Sequence, residues 1–403
     1  MIMRQVLPRA AAALPGQGTV RRPLSRARAL DLRYVRKGPV TDEPVLVIPG
    51  GPGLASVLPY AGLRARAARL GTDVLMVEHR GVGLSRRDTT GHDLLPEDLT
   101  VDAVIDDLLS VLDAVRAPRA LVFGSSYGAY LAAALGERAP ERVAAMVLDS
   151  PLLTTRALRA ERRAVRAALW EGSVPGSAVL SARVRALSHG GLPDDELVDA
   201  LRAAWELGGP ELSRAVTDAW ARGRGRLARA LLLAWAGHGP EPEGGSWPAF
   251  YEYDLVSALA LRELDFSPEP DGASLDVALT YGPVEGSDAP HEAFAGESHD
   301  LPRALRRFTW PTVVVSGRRD MTTPPEVARR AAAGLPHGVL VTIDGGHSAL
   351  ENRPETALAV VRAIQAGAWE RLPGLEDALD ALPRHAVAAR LPAIVRACLV
   401  LPV

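Results

Sequence analysis

The sequence predicts an α/β protein in which helices flank a mostly parallel β-sheet. Six short runs are almost wholly apolar, which is typical of strands buried on both faces of such a sheet. These runs are residues 45–48, 74–77, 121–123, 143–148, 313–315 and 339–343. Helix-length segments lie between them, and in residues 101–115 the apolar side chains recur every three or four positions. The alternation of the two patterns predicts helices on both faces of one sheet.

One long stretch interrupts this alternation. The strand pattern stops after Ser150 and resumes near Trp310, and the residues between are rich in Ala, Arg, Leu and Trp at helical spacing. We predict a helical cap, inserted after the sixth strand, that lies over the carboxyl ends of the strands, where ligands bind in such sheets. The predicted division is an N-terminal extension (1–29), the first part of the core (30–152), the cap (153–305), the second part of the core (306–366) and a C-terminal helical extension (367–403).

Composition narrows the class of protein. The formal net charge of −2 and the ordinary apolar fraction of 47% argue against disorder and against a surface for nucleic acid. Cys398 is the only cysteine, and no Cys/His cluster has the spacing of a metal site, so we expect neither a metal nor an organic cofactor. Arg interrupts nearly every apolar stretch, and the run 10–14 is too short for an export signal. We therefore expect a cytoplasmic protein that does not associate with membranes; its oligomeric state is not predicted.

The string Gly124-Ser125-Ser126-Tyr127-Gly128 matches the pattern G-x-S-x-G. This pattern presents a nucleophilic Ser on a sharp turn between a strand and a helix. A predicted strand comes directly before the string and a predicted helix directly after it. Flanking glycines allow the close approach of strand and helix that such a turn needs. Ser126 is therefore the predicted nucleophile.

A serine hydroxyl needs a base to take its proton and a third group to orient that base. After such a turn the acid and then the His follow in chain order. Asp320 follows the run 313–315, and His347 follows the run 339–343. Both positions lie at carboxyl ends of predicted strands, beside Ser126. We predict His347 as the general base and Asp320 as the acid.

Four other residues compete for these roles. His79 lies at the correct edge of the sheet but precedes the nucleophile in the chain, which breaks the expected order. His337 comes before its strand and is expected at the opposite edge. Asp149 ends the strand after the nucleophile and is an alternative acid, whereas Asp344 is typical of a turn former.

Two backbone amides are expected to stabilise the oxyanion that forms when an acyl group is attacked. One is the N–H of Tyr127, at the start of the helix after the nucleophile. The other should come from the loop 49–53, which reads Pro-Gly-Gly-Pro-Gly. Pro52 has no N–H, so Gly51 is the candidate.

These motifs together resemble the proline iminopeptidase branch of the α/β-hydrolase superfamily. Members carry H-G-G-P-G, then D-x-R-G-x-G-x-S, then the Ser turn, and this sequence has P-G-G-P-G at 49–53 and E-H-R-G-V-G-L-S at 78–85. Pro49 and Glu78 depart from the family pattern. The resemblance covers residues 30–150 and 309–364, and it implies the α/β-hydrolase fold. It also implies that Gly51 and Tyr127 form the oxyanion hole, while Arg80 and Ser85 hold the loop.

The leading functional expectation is a serine hydrolase that removes an N-terminal residue, such as Pro, from short peptides. Such an enzyme binds the free α-ammonium through carboxylates of the cap, and Glu252 and Asp254 look like that segment. A solvated helix face is an equally good interpretation of these two residues. A carboxylesterase or amidase with the same chemistry is the alternative. A non-catalytic binding protein of the same fold is the alternative of a different class.

Overall fold

The computed structural model describes residues 2–238, 246–266, 268–281 and 293–400. Its strands are β1 Gln17–Pro23, β2 Ala29–Lys37, β3 Val45–Ile48, β4 Val74–Val77, β5 Ala120–Ser125, β6 Val143–Asp149, β7 Ser246–Trp247, β8 Tyr251–Glu252, β9 Thr312–Gly317 and β10 Gly338–Ile343. Its helices are α1 Ile2–Ala12, α2 Ala61–Arg69, α3 Val101–Ala114, α4 Tyr127–Arg138, α5 Ala157–Arg166, α6 Ala178–His189, α7 Asp194–Trp220, α8 Arg226–Leu233, α9 Tyr253–Leu264, α10 Leu301–Ala304, α11 Pro325–Gly334, α12 Ala349–Asn352, α13 Pro354–Gln365, α14 Glu376–Asp380 and α15 Ala386–Cys398.

Eight of the strands form one sheet, in the order β1-β2-β4-β3-β5-β6-β9-β10. The pairs β1–β2 and β2–β4 are antiparallel, and all later pairs are parallel. β5 is a central strand, between β3 and β6. The carboxyl ends of β3, β5, β6, β9 and β10 therefore meet at one edge of the sheet. All six predicted runs are strands of this sheet, and the predicted fold class, a mostly parallel sheet flanked by helices, is confirmed.

Side chains of successive strand residues enter two different cores. In β3, Leu46 and Ile48 belong to the cluster that contains residues of α3 and α4. Val45 and Val47 belong to the cluster on the other face, which contains residues of α2 and α13. This alternation is the period of two residues that a strand imposes. Because both faces are covered, the central strands β3, β5 and β9 are buried at every position.

The sequence pattern did not predict β1 and β2. Half-buried and exposed residues make up β1, and buried residues in β2 are separated by half-buried ones, as expected where only one face meets the core. Charged side chains such as Arg21 and Asp31 occupy the other face and pair with each other at 2.6 Å. β1 lies within residues 1–29, so part of the predicted N-terminal extension belongs to the sheet.

The residues between β6 and β9 include α5 to α9 and the short hairpin of β7 and β8. A third core, separate from the two on the sheet, joins α5 to α8, with Leu201 and Val216 of α7 among its buried members. Leu391 and Val395 of the C-terminal helix α15 complete this core. Within the described ranges, no helix combines the length and apolar character that a membrane span requires. No group of three or more His, Cys, Asp or Glu side chains in those ranges is arranged to hold a metal ion.

Candidate active site

Ser126 lies on the sharp turn between β5 and α4. Its φ of 53° and ψ of −117° are outside the regions that L-residues ordinarily occupy. The turn is tight on both sides: a Cβ at Gly124 would lie 2.2 Å from the carbonyl oxygen of Gly128, and a Cβ at Gly128 would lie 2.1 Å from that of Ile48. Only glycine fits these positions without moving the backbone. The turn raises the Ser126 side chain above the edge of the sheet.

The structure brings Ser126, His347 and Asp320 together. His347 Nε2 lies 2.9 Å from Ser126 Oγ, and His347 Nδ1 lies 3.1 Å from each carboxylate oxygen of Asp320. Asp320 is 2% exposed and accepts the backbone N–H groups of Thr322 at 3.0 Å and Thr323 at 2.8 Å. A carboxylate held in this way keeps the hydrogen on Nδ1, so in the neutral ring Nε2 can accept the Ser126 proton.

Asp149, the alternative acid, has other partners. Its carboxylate accepts the N–H groups of Ala349 at 3.0 Å and Leu350 at 2.9 Å, and the Ser125 hydroxyl at 3.0 Å. Among the described residues it makes no hydrogen bond with His347. Asp149 instead fixes the start of α12, directly after His347. Burial raises its pKa, against the effect of these donors.

The remaining competitors are also engaged elsewhere. Asp344 forms an ion pair with Arg319. His79 is half-buried, and its Nε2 lies 3.1 Å from the hydroxyl oxygen of Tyr127. Burial lowers the pKa of His79 to about 4, so its ring is neutral and packs beneath α4. His337 lies directly before β10, at the amino end of that strand.

Two backbone donors lie beside Ser126. Tyr127 is the first residue of α4, and N–H groups of the first turn have no partner within the helix. The loop after β3 packs against the nucleophile, because a Cβ at Gly50 would lie 3.2 Å from Ser126 Cβ. Gly51 follows with a φ of 118°, and its N–H donates to no acceptor among the described residues. The first residue of α4 therefore directly follows Ser126, and Gly51 lines the same cavity as Ser126.

A buried carboxylate fixes the loops around these donors. Glu78 accepts the N–H of Ser56 at 2.5 Å and that of Leu84 at 3.2 Å, and so ties the loop after β3 to the loop after β4. Burial raises its pKa to about 7, against these hydrogen bonds. Arg80 and Ser85, which the resemblance assigns to loop structure, make a buried ion pair and a hydrogen bond with the backbone, respectively. The longer Glu thus serves as an anchor where the family pattern has Asp.

The surroundings of His347 favour its protonated form. Burial lowers the pKa of the ring, but the carboxylates of Asp320, Glu206 and Asp149 more than compensate, and the pKa is raised to about 9. Among the groups that raise the pKa of His347, Asp320 has the largest effect, because it is close to the ring and hydrogen-bonded to it. The imidazolium that forms when a base takes the serine proton is therefore strongly stabilised here.

Glu206 of α7 touches the loops that carry both His347 and Asp320. Its carboxylate accepts the N–H of Met321 at 3.0 Å, the hydroxyl of Thr322 at 3.3 Å and the N–H of His347 at 3.4 Å. The approach is close enough that a Cβ at Gly346 would lie 2.4 Å from Glu206 Cβ. Burial and the neighbouring Asp320 raise the pKa of Glu206. A cap residue thus reaches into the site.

Sequence reasoning did not find Glu206. It lies in an ordinary amphipathic segment, where nothing in the spacing distinguishes it from solvated acids. The helix is interrupted just beyond it, at Gly208 and Gly209, where φ is −147° and 67°, and Pro210 follows. The Gly-Gly-Pro string was the available signal, since it marks a break in the helical pattern. The break ends the first half of α7 over the His347 loop.

A cavity of about 480 Å³ lies between the cap and the edge of the sheet, with Ser126 and His347 in its wall. Its charged lining residues are Glu161, Arg202, Glu206, Asp265, His347 and Glu351, and its larger apolar ones are Leu54, Leu152, Leu158, Trp235, Leu264 and Phe266. Glu161 pairs with Arg202 at 2.8 Å. Burial raises the pKa of Glu161 to about 7, against that pairing. Among the cap tryptophans in the described ranges, Trp235 lines the cavity.

Glu252 and Asp254, predicted as ligands for an α-ammonium, lie elsewhere. Both form ion pairs with Arg86, at 3.3 and 2.7 Å. Glu252 also accepts the N–H of Gly83 at 2.5 Å and that of Ala249 at 3.0 Å. Neither lines the cavity at Ser126. The structure therefore does not bring them to the substrate. Arg86, from the loop after β4, neutralises them and joins that loop to the β7–β8 hairpin.

Two family models match the sequence, one described as the alpha/beta hydrolase fold over residues 43–171 and one as TAP-like protein over residues 292–366. No curated protein matches. Among solved structures, a proline iminopeptidase from Mycobacterium smegmatis is 17% identical, with 88% of this chain and 99% of that chain covered and a TM-score of 0.48. A thermophilic esterase from Thermogutta terrifontis is 18% identical, with 87% and 99% covered and a TM-score of 0.48.

The matched families, the strand order and the turn at Ser126 agree on one class of protein. The chain has the α/β-hydrolase fold, and residues 43–171 match the family model of that fold. At such low identity the solved structures carry no argument about the bond that it cleaves. The choice of substrate has to be argued from the cavity.

Proposed function

We propose that this protein is a serine hydrolase that works through an acyl-enzyme on Ser126. His347 Nε2 takes the Ser126 proton while Oγ bonds to the substrate carbonyl carbon. The N–H groups of Gly51 and Tyr127 stabilise the resulting oxyanion. The imidazolium then gives its proton to the leaving group as the scissile bond breaks. A water molecule, deprotonated by His347, attacks the acyl carbon, and the proton returns to Ser126 when the acid is released.

One observation carries this proposal. Ser126, His347 and Asp320 form an unbroken hydrogen-bonded chain, at 2.9 and 3.1 Å, and its serine end opens into a cavity. A binding protein of the same fold has no need for such a chain, so the non-catalytic alternative has no support from the site.

We further propose that the substrate is a short peptide with a free N-terminus, in the manner of a proline iminopeptidase. Four carboxylates line the cavity, against the guanidinium of Arg202 and the ring of His347. This excess of acids suits a cationic group. The α-ammonium of an N-terminal residue is attached to the carbon beside the scissile carbonyl, so it must bind close to Ser126 and His347. Glu206, which contacts the His347 loop, is the candidate ligand in place of Glu252 and Asp254.

The apolar lining supports a second candidate function. Leu54, Leu152 and Phe266, with the other large apolar side chains of the cavity, suit the acyl chain of a small carboxylic ester or amide as well as a proline ring. A carboxylesterase would use the same serine chemistry, but it would have no use for the four acids that line the cavity.

The serine assignment is tested by labelling with a fluorophosphonate, followed by peptide mapping. The wild type is expected to carry the label on Ser126, and Ser126→Ala is expected to lose both label and turnover with little change in stability. Ser110→Ala is a matched control, because the Ser110 hydroxyl donates to a backbone carbonyl of its own helix, at 2.7 Å. Turnover retained by Ser126→Ala would overturn the proposal.

The substrate class is tested on the same preparation. Pro-, Ala- and Leu-arylamides with free amines are compared with their N-blocked forms and with short-chain aryl esters. The peptidase proposal expects a strong preference for free-amine arylamides. Equal rates on blocked and free substrates contradict it, and fast hydrolysis of the esters alone favours the carboxylesterase.

A further inference from the structure

A second depression, here called the outer groove, opens beside the cavity at Ser126. It has a volume of about 580 Å³. Thr155, Leu158, Asp265 and Pro268 line both the groove and the cavity, so the two are continuous. One wall of the groove is α5 with the residue directly before it. A substrate longer than the cavity would extend into this groove.

The arginines of α5 divide into two sets. Arg162, Arg163 and Arg166 each pair with a carboxylate, of Asp276, Glu326 and Asp271, respectively. Arg156 and Arg159 are exposed, line the groove and have no carboxylate partner among the described residues. Three arginines line the groove: Arg162 is paired with Asp276, whereas Arg156 and Arg159 have no carboxylate partner within the described ranges.

The stability of α5 does not explain why arginine occupies positions 156 and 159. Arg156 directly precedes α5 and Arg159 lies in its first turn, where the helix dipole disfavours positive charge. Like charges three residues apart also repel each other. Asp265 and Glu269 line the groove as well, so its positive charge is confined to the α5 wall. A ligand that offers negative charge to that wall would relieve the repulsion.

We propose that the outer groove is a second subsite, in which Arg156 and Arg159 bind the C-terminal carboxylate of a short peptide. This inference rests on the proposed aminopeptidase function. The N-terminal residue is the acyl group and occupies the acidic cavity, so the remainder of the peptide is the leaving fragment and extends outward. A guanidinium binds a carboxylate through two parallel hydrogen bonds. The acidic cavity and the basic wall together match a peptide that carries both of its terminal charges.

The inference predicts that a free C-terminal carboxylate increases kcat/KM. Partly exposed ion pairs are weak and are screened by salt, so each arginine should contribute a factor of about 2 to 5. The test uses tripeptides Xaa-Gly-Gly and their C-terminal amides, where Xaa is the residue among Pro, Ala and Leu whose arylamide is cleaved fastest. For the wild type at low salt, we expect the free acid to be favoured over the amide about tenfold.

The double variant Arg156→Gln/Arg159→Gln is expected to reduce the acid-to-amide ratio to near one, and salt is expected to do the same in the wild type. Arg163→Gln is the control: it removes one positive charge from α5, and Arg163 does not line the groove. It should keep the ratio of the wild type.

Two outcomes are distinguishable. Equal hydrolysis of acid and amide by the wild type, or a ratio that the double variant and Arg163→Gln change alike, overturns the subsite and leaves the proposed function standing. Hydrolysis of neither peptide, with esters still cleaved, overturns the proposed function and the subsite together.

Discussion

The two walls of the cavity are built on different principles. The wall formed by the core carries Ser126, Asp320 and His347, each just beyond the carboxyl end of a parallel strand. The wall formed by the cap carries Glu161 and Glu206, which project from helices. The first set makes close hydrogen bonds that leave little freedom in position. The second set approaches the first from a separate hydrophobic core.

This difference separates the chemistry from the choice of substrate. Parallel strands in register bring their carboxyl ends to the same edge, so the sheet itself places the reacting groups. The cap contributes charge and shape around them. Changes in the core wall should therefore reduce turnover on every substrate, whereas changes in the cap wall should alter the preference among substrates.

Asp320→Asn is expected to have the largest effect. An amide in place of the carboxylate stabilises the wrong tautomer of His347, and a loss of about 10⁴-fold in kcat is expected on all substrates. Asp149→Asn should cost far less turnover, because Asp149 holds the start of α12 and makes no hydrogen bond with the ring. Steady-state kinetics on one arylamide and one ester measure both variants. Equal losses for the two would contradict the assignment of the acid.

The core wall could be predicted because its geometry follows from a short list of rules. The apolar runs before Ser126, Asp320 and His347 indicate parallel strands, and the polar residues after them must converge at one edge. Even so, the rules left Asp149 open as the acid, because it too ends a strand. Only the side-chain hydrogen bonds, to α12 in one case and to His347 in the other, separate Asp149 from Asp320.

The pH dependence of kcat/KM tests the electrostatics of the core wall. His347 acts as a base only when neutral, and its pKa is raised to about 9. Activity is therefore expected to be lost as the pH falls through that value, with a rise of about 50-fold between pH 7 and pH 9. The midpoint should move to lower pH in Glu206→Gln, which removes one of the charges that raise the pKa. A midpoint near the ordinary histidine value would contradict the expected stabilisation of the imidazolium.

The raised pKa of His347 makes folding stability depend on pH in the opposite direction to activity. The native state holds the His347 proton more tightly than the unfolded chain does. The resulting stabilisation is fully present below the ordinary histidine pKa and is lost as the pH rises through about 9. Urea unfolding at several pH values, of the wild type and of His347→Gln, should show this loss only in the wild type.

The cap wall could not be predicted in the same way. Helical spacing shows which residues face a core, but acids on the other face are alike in sequence whether they face water or a cavity. Glu252 and Asp254 resembled the cap carboxylates that bind an α-ammonium, yet Arg86, distant in the chain, pairs with both. Glu206 reaches the site because α7 breaks at two glycines beyond it. Such tertiary pairings leave no periodic signal.

Glu206→Gln is expected to lower kcat/KM about 30-fold for substrates with a free α-ammonium, since it removes a partly buried charge partner. N-blocked substrates and esters should lose much less, because they are affected only by the contacts of Glu206 with the two loops and by its effect on the pKa of His347, which act on all substrates alike. The matched control is Glu211→Gln, on the same helix beyond the break, where the side chain is exposed and pairs with Arg214 at 3.5 Å. Equal losses on free and blocked substrates would make Glu206 a structural residue and leave the ammonium without a ligand.

Glu252→Gln is expected to have the smallest effect on substrate preference. Its carboxylate accepts two backbone N–H groups and pairs with Arg86, so the free energy of unfolding should fall by about 1 to 3 kcal/mol. Because Glu252 lies outside the cavity, the ratio of kcat/KM between free and blocked arylamides should change less than about twofold. Urea unfolding and paired kinetics measure the two quantities. If Glu252→Gln lost activity only on free-amine substrates and kept its stability, the ligand of the α-ammonium would be Glu252 of the β7–β8 hairpin. Glu206 of α7 would then not be that ligand.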